Sequence, residues 1–334
     1  MKARLRKHWF LAGLVVVWIL GFLSPEVCKA YQKSSLVDWA IALVMLCSGL
    51  TLETSHVFEQ LRNWRAVLFS FFMMYLVAPV IIFVACLPLR FSGSEANTQL
   101  FVGFVILAAQ SCTLGSGIVI STAARGNVAL ALVVTVVNSM CSTVMTPLLL
   151  RWMLSVHIEV QTLAMIGRLA VIILLPVTLG QLIRPWIKSH WEPVRWLPSI
   201  LTQLVILSLI YMSVGTSRDW IVRSPWLVAA MLAATLVLHG IILAANYALS
   251  TLATKTKASR RSLAICSSQK TLATGSYVWA RFFADNPLGG IPLMFYHVVQ
   301  LVFDSLLAHW WAQKDTHAAA PTLETLGAAE EKQM

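Results

Sequence analysis

The chain has 334 residues, of which 58% are hydrophobic and only 12% charged, and its mean hydropathy is +0.76. Soluble domains carry about 25% charged residues, so composition excludes a soluble enzyme and, outside the C-terminal end, a disordered chain. The net charge of +11 is assigned to the cytoplasmic loops of a membrane protein, which collect Lys and Arg, and not to a nucleic-acid partner.

A membrane-spanning helix needs about 20 apolar residues. Ten such stretches follow one another at about 8–24, 36–52, 66–89, 97–122, 127–153, 164–184, 197–216, 225–252, 261–283 and 288–312. The first follows MKARLRK, as a leader would, but Leu23-Ser24-Pro25-Glu26 lacks a small-x-small cleavage site and it is read as a span. Residues 313–334 are rich in Ala, Glu and Thr without a sustained apolar face, which predicts a mobile cytoplasmic tail behind a ten-span domain over 1–312. With the N-terminus inside, sixteen Lys and Arg fall on cytoplasmic segments and seven on the opposite ones. This bias puts both termini in the cytoplasm. The six cysteines are scattered, with no CxxC or metal spacing, and read as small core residues.

Two segments align at an offset of 158: Thr113-Leu114-Gly115-Ser116-Gly117 in span four and Thr271-Leu272-Ala273-Thr274-Gly275 in span nine. Ala124-Arg125 and Ala280-Arg281 close the same spans, Pro25 and Pro185 close spans one and six, and Ser48-Gly49-Leu50-Thr51 and Ser213-Val214-Gly215-Thr216 end spans two and seven. Spans one to five (about 8–153) then repeat as spans six to ten (about 164–312). Five is odd, so the second copy is inverted, as in secondary transporters that bind their cargo on interrupted helices. Small-residue packing patches between helices are the plainer explanation of such stretches. Span four is about 26 residues, or roughly 39 Å of helix, against a hydrocarbon core of about 30 Å, and its middle is polar. The expected fold is therefore an all-α polytopic membrane protein with broken helices four and nine.

Lys270 is the most informative residue. A Lys near the centre of a span costs about 2.5–3.5 kcal/mol even on a lenient scale. His297, Gln300 and Asp304 of span ten recur at spacings of three and four, on one helical face, and Asp304 is a candidate charge partner for Lys270. Candidate substrate- or ion-binding groups are Cys112, Thr113 and Ser116 in span four, Asn127, Thr135 and Asn138 in span five, Ser268, Gln269, Lys270 and Thr271 in span nine, and His297 and Gln300 in span ten. His239, Asn246 and Gln203 read as hydrogen bonds between helices. There is no HExxH, GxSxG, Walker A or GxGxxG motif, and no polar segment long enough for a nucleotide-binding domain, so an enzyme or an ATP-driven pump is not expected.

The run Gly115 to Leu150, GSGIVISTAARGNVALALVVTVVNSMCSTVMTPLLL, together with Cys266 to Ala273 (CSSQKTLA) and Tyr296-His297, resembles the bile acid:sodium symporter family. The span-nine run, with Tyr296-His297, resembles that family's divergent branch, which includes the seventh human member and many bacterial transporters. The resemblance implies a panel and a core domain, with spans four and nine crossing in the core, and the movement of organic anions with sodium by alternating access. It also implies sodium ligands from spans four, five and nine, where Thr135 matches a family hydroxyl and Gln269 the span-nine glutamine. Two departures stand out. The family carboxylate four residues before that glutamine is Ile265, and the family Asn after the span-four break is Gly117 or Ile118. Lys270 follows the glutamine directly, so its ammonium is expected in the place of a sodium ion.

The expected function is secondary transport of a small organic anion, with sodium or a proton as coupling ion and no cofactor, in the lipid bilayer of a bacterial inner membrane. A cation/proton antiporter on the same fold and a non-transporting regulator of ion homeostasis are the alternatives. Neither the cargo nor the oligomeric state is readable from the residues.

Overall fold

The computed structural model describes residues 2–52, 63–154, 161–187 and 196–319. Among these residues all regular secondary structure is helical, as a lipid solvent that cannot hydrogen-bond the backbone requires. In chain order the helices are α1 (Lys2–Leu23), α2 (Pro25–Lys33), α3 (Leu36–Thr51), α4 (Trp64–Arg90), α5 (Glu95–Ala108), α6 (Leu114–Ala123), α7 (Val128–Leu154), α8 (Thr162–Ile187), α9 (Leu197–Thr216), α10 (Arg218–Arg223), α11 (Trp226–Leu249), α12 (Lys257–Ser268), α13 (Leu272–Phe282) and α14 (Gly290–Ala319). Helix α14 carries residues 313–319 of the expected tail, and 320–334 lie outside the described residues.

Among the described residues six helices, α4, α7, α8, α9, α11 and α14, are long and apolar enough to cross a membrane, or seven if the bent pair α1–α2 forms one span. The expectation of ten is not met by length alone, for a physical reason. Helix α3 has 16 residues, and the fourth and ninth stretches are each divided into two short helices. Apolar side chains such as Val15, Ile19, Leu68, Phe72, Leu76, Val171, Leu175 and Leu182 are exposed along helix faces. These belts suit lipid contact, and the chain is an integral multi-pass membrane protein.

Local chemistry sets the breaks and bends. Helix α1 turns by 98° into α2 at Ser24, because Pro25 keeps the preceding residue out of the helical region while suiting the first helical position itself. Helices α4 and α8 each contain a π-turn, Met73–Val77 and Ala170–Leu174, two residues before Pro79 and Pro176. A proline within a helix has no N–H to give, and the wider turn absorbs the mismatch.

The helices form two groups. Helices α1, α2, α3, α8 and α9 pack on one another, and α4–α7 pack with α11–α14. The small-residue stretches at the ends of α3 and α9 serve close packing in the first group. A Cβ on Gly49 would lie 2.4 Å from the Val177 carbonyl oxygen, and one on Gly215 would lie 2.2 Å from Cys28 Sγ. Helices α5–α6 and α12–α13 meet at their interruptions in the second group, where Thr271 N–H donates to the Ser111 carbonyl over 2.8 Å.

Candidate functional site

The interruption after α5 frees carbonyls in a buried place, and each must find a donor. The Gln110 side-chain amide donates to Ile106 O at 2.8 Å, and Thr146 Oγ1 donates to Ala109 O at 2.8 Å. Ala108 O and Gln110 O receive Lys270 Nζ at 3.0 and 2.9 Å. The third carbonyl on this ammonium is Met74 O, at 3.1 Å, beside Met74 Sδ at 3.3 Å. Met74 O is free because the Ala78 N–H reaches back five residues to Met73 O and the next residue, Pro79, has no N–H. Lys270, 1% exposed, thus closes three carbonyls that two helix defects leave open. It also sits at the C-terminal, negative end of α5.

The backbone of Lys270 is splinted by one side chain. Lys270 N–H donates to Gln300 Oε1 at 2.7 Å, and Gln300 Nε2 donates to Lys270 O at 2.9 Å. The same Nε2 lies 3.1 Å from His297 Nδ1, so Nδ1 is the acceptor and the imidazole carries its proton on Nε2. His297 is 2% exposed, and its Nε2 has no hydrogen-bond partner among the described residues.

Gln269 links the two interruptions to α14. Its Oε1 accepts from Thr113 Oγ1 and, at 3.1 Å, from Ser116 Oγ. Its Nε2 donates to Asp304 Oδ2 at 2.8 Å. Asp304 Oδ1 lies 2.7 Å from His239 Nε2, and both side chains are fully buried. Tyr296 O–H donates to Ser268 O at 2.8 Å, so the tyrosine oxygen is left to accept from His239 Nδ1, 3.2 Å away. A hydrogen bond joins His239 Nε2 to Asp304 Oδ1.

A cavity of about 1370 Å³ opens beside this network, lined by residues of both helix groups. At its inner end stand Thr113, Gly115 and Ser116 of the α6 start, Thr271 to Thr274 of the α13 start, and His297. First-turn N–H groups have no intrahelical acceptor and favour negative charge. Among the described residues no Asp, Glu, Lys or Arg lines the cavity, and most of this wall is apolar.

Several residues singled out in the sequence take other places. Asp304 is not the partner of Lys270: it pairs with His239 and Gln269, and among the described residues no carboxylate forms an ion pair with Lys270. Asn127 stands apart from the interruptions. Its Oδ1 accepts from Leu130 N–H at 3.0 Å, starting α7, and its backbone pairs with Ala258 O and Ser262 Oγ of α12. Arg125, two residues earlier, takes φ 53° in that turn. Thr135 Oγ1 bonds back to Ala131 O at 2.9 Å, while its carbonyl faces Cys112 Sγ at 3.7 Å. Asn138 ties α7 to α4 through Ser70 Oγ at 2.9 Å. Ser268 Oγ returns to Ile265 O at 3.1 Å. Ile265 packs with Ile120, Ala124, Ala264 and Ala308, an apolar setting. Asn246 and Gln203 bond within their own helices, to Ile242 O and Ser199 Oγ. Met74 and Gln110 emerge as members of the network, and His239 hydrogen-bonds from α11 to α14, as expected. Pro79, five residues after Met74, is the sequence signal that could have pointed to the first.

The profile of the SBF-like CPA transporter family matches residues 8–313. An uncharacterized protein of Pseudomonas aeruginosa is 28% identical over 329 residues, covering 94% of this chain and 96% of its own. The sodium/bile acid cotransporter 7 of Mus musculus is 24% identical over 319 residues, covering 91% and 92%. The sodium/bile acid cotransporter 7-B of Xenopus laevis is 24% identical over 317 residues, covering 91% of each.

Proposed function

The chain belongs to the SBF-like CPA transporter family, and from that premise we propose that it is a secondary active transporter carrying a small organic anion by alternating access. The observation that carries the proposal is the meeting of two helix interruptions beside a large, mostly apolar cavity. The ten spans are α1, α3, α4, α5–α6, α7, α8, α9, α11, α12–α13 and α14, in two inverted repeats over about 8–153 and 164–312. In support, Thr113 and Thr271, aligned by the five-residue match, both precede a resumed helix with nearly the same backbone, φ −80° and ψ 125° against φ −76° and ψ 127°. Both termini lie on the cytoplasmic side of a bacterial inner membrane, and the cavity opens to that side.

The anionic head of the cargo accepts from the free N–H groups of the first turns of α6 and α13 and from His297 Nε2–H. The apolar wall takes its body. The α1, α2, α3, α8 and α9 group serves as the panel against which the second group shifts. Relatives are named sodium cotransporters, but here the carbonyl cage holds the ammonium of Lys270 and Ile265 stands in an apolar cluster. Lys270 is therefore a built-in cation that takes over the charge balance a sodium ion would supply. Transport then runs without sodium, with a proton as the remaining candidate for coupling.

The test is uptake of a panel of labelled carboxylates into proteoliposomes, with and without a sodium gradient. The expected result is uptake of at least one of them at equal rates in both conditions. Cation/proton exchange is the second reading, supported by the full burial of Asp304 against His239. Proton release driven by a cation gradient, without anion uptake, would replace the first reading with the second.

A further inference from the structure

Among the described residues, the lining of the cavity reaches one face of the protein. Its lining runs to Trp9 and Phe10 near the start of α1, Leu52 after α3, Val128 at the start of α7, Pro198 at the start of α9, and Leu306 in the second half of α14. Those ends share one side. On the other side lie the end of α1, helix α2, the start of α3 and the end of α13.

There one guanidinium bridges the two helix groups through three acceptors. Arg281, in the last turn of α13, donates through Nε to Asp38 Oδ1 of α3 at 2.7 Å, through Nη1 to Gln32 O at 3.0 Å and through Nη2 to Ser34 O at 2.5 Å. Each contact suits its helix end. Asp38 is in the first turn of α3, Arg281 is at the negative end of α13, and Gln32 O is an orphan carbonyl at the end of α2. Beside it, Arg168 of α8 lies over the Phe282 ring at 5.7 Å, and Ser217 Oγ after α9 donates to Pro287 O at 2.7 Å.

The character of these contacts differs from that of the Lys270 cage. The Arg281 and Asp38 side chains are 13% and 36% exposed, so water can take over every acceptor when the groups part. Contacts that water can replace are suited to repeated making and breaking, whereas the dry carbonyls around Lys270 are not.

We propose that Arg281 is the latch that keeps the cavity closed on the face opposite its mouth, and that its release from Asp38, Gln32 O and Ser34 O opens that face. The proposal rests on alternating access but not on the nature of the cargo. Its test therefore uses none, and failure to find a transported anion leaves its result standing. In a chain whose native cysteines are replaced by alanine or serine, Ile206→Cys places a thiol in the cavity. Ser199→Cys at the mouth reports which face is outward in sealed proteoliposomes. A membrane-impermeant maleimide is then applied to each face.

With the latch intact, Cys at 206 is labelled from the mouth face. Arg281→Gln and Asp38→Asn raise labelling from the opposite face about tenfold, the shift expected when a charged, forked contact is lost from one of two states. Arg281→Lys, which keeps the charge but cannot span three acceptors, gives an intermediate rise. Unchanged labelling from the opposite face in both Arg281→Gln and Asp38→Asn overturns the proposal. So does an equal rise from both faces, which marks general loosening of the fold.

Discussion

Truncating Lys270 should open a hole that a small amine can refill. Lys270→Ala removes the donor from Met74 O, Ala108 O and Gln110 O, which it reaches at 3.1, 3.0 and 2.9 Å. Three buried carbonyls without a donor cost about 1 kcal/mol each at the low end, and the vacated stem adds about 2 kcal/mol. Relief from burying a charge offsets part of this, leaving a net loss of about 3 kcal/mol. Ethylammonium carries N–H donors of the right kind, and tetramethylammonium carries none. At ten times its Kd, a ligand of the folded state returns about 1.4 kcal/mol. Apparent Tm in nanodiscs, at constant ionic strength, reads both effects. The Tm of Lys270→Ala should fall and recover with ethylammonium alone, while the parent chain responds to neither ion. A variant as stable as the parent, or one that recovers equally with both ions, would refute the carbonyl-cage account.

Variants at Gln300 and His239 probe the surrounding network. Gln300→Leu strips both partners from the Lys270 backbone and should cost about 2–4 kcal/mol, read as a lower apparent Tm. Gln300→Glu, which keeps only the acceptor, should lose less, and equal losses would argue against the splint. His239→Leu leaves Asp304 Oδ1 without its buried partner and should cost about 3–5 kcal/mol. The double variant His239→Leu/Asp304→Leu should cost less than the sum of the single ones, and strict additivity in this cycle would show that the pair is not coupled.

The sequence makes part of this architecture legible because the bilayer is a demanding solvent. Apolar runs mark the helices. The polar, hydroxyl-rich centres around Thr113 and Thr271 coincide with the points where α6 and α13 begin, and Lys270 stands out by cost alone. What it hides depends on how helices rotate against one another. His239 reads as a bond between helices and makes one, but only packing shows that its partner is Asp304, 2.7 Å away. The partners of Lys270 are backbone carbonyls, which no side-chain pattern advertises. Asn127 belongs to a conspicuous motif, yet its work is to seat the α6–α7 turn on α12. The break residues carry the opposite lesson: the same interruptions that make the stretch unusual leave short helices that fall below the length of a spanning one.

The central claim is that Lys270 replaces a bound sodium ion. It is tested most directly by the apparent Tm of the purified chain titrated with sodium, with potassium holding the ionic strength constant. The account predicts the same Tm in both salts. A saturable rise specific to sodium, worth about 2.7 kcal/mol at a hundredfold excess over Kd, would contradict it and return the chain to sodium coupling.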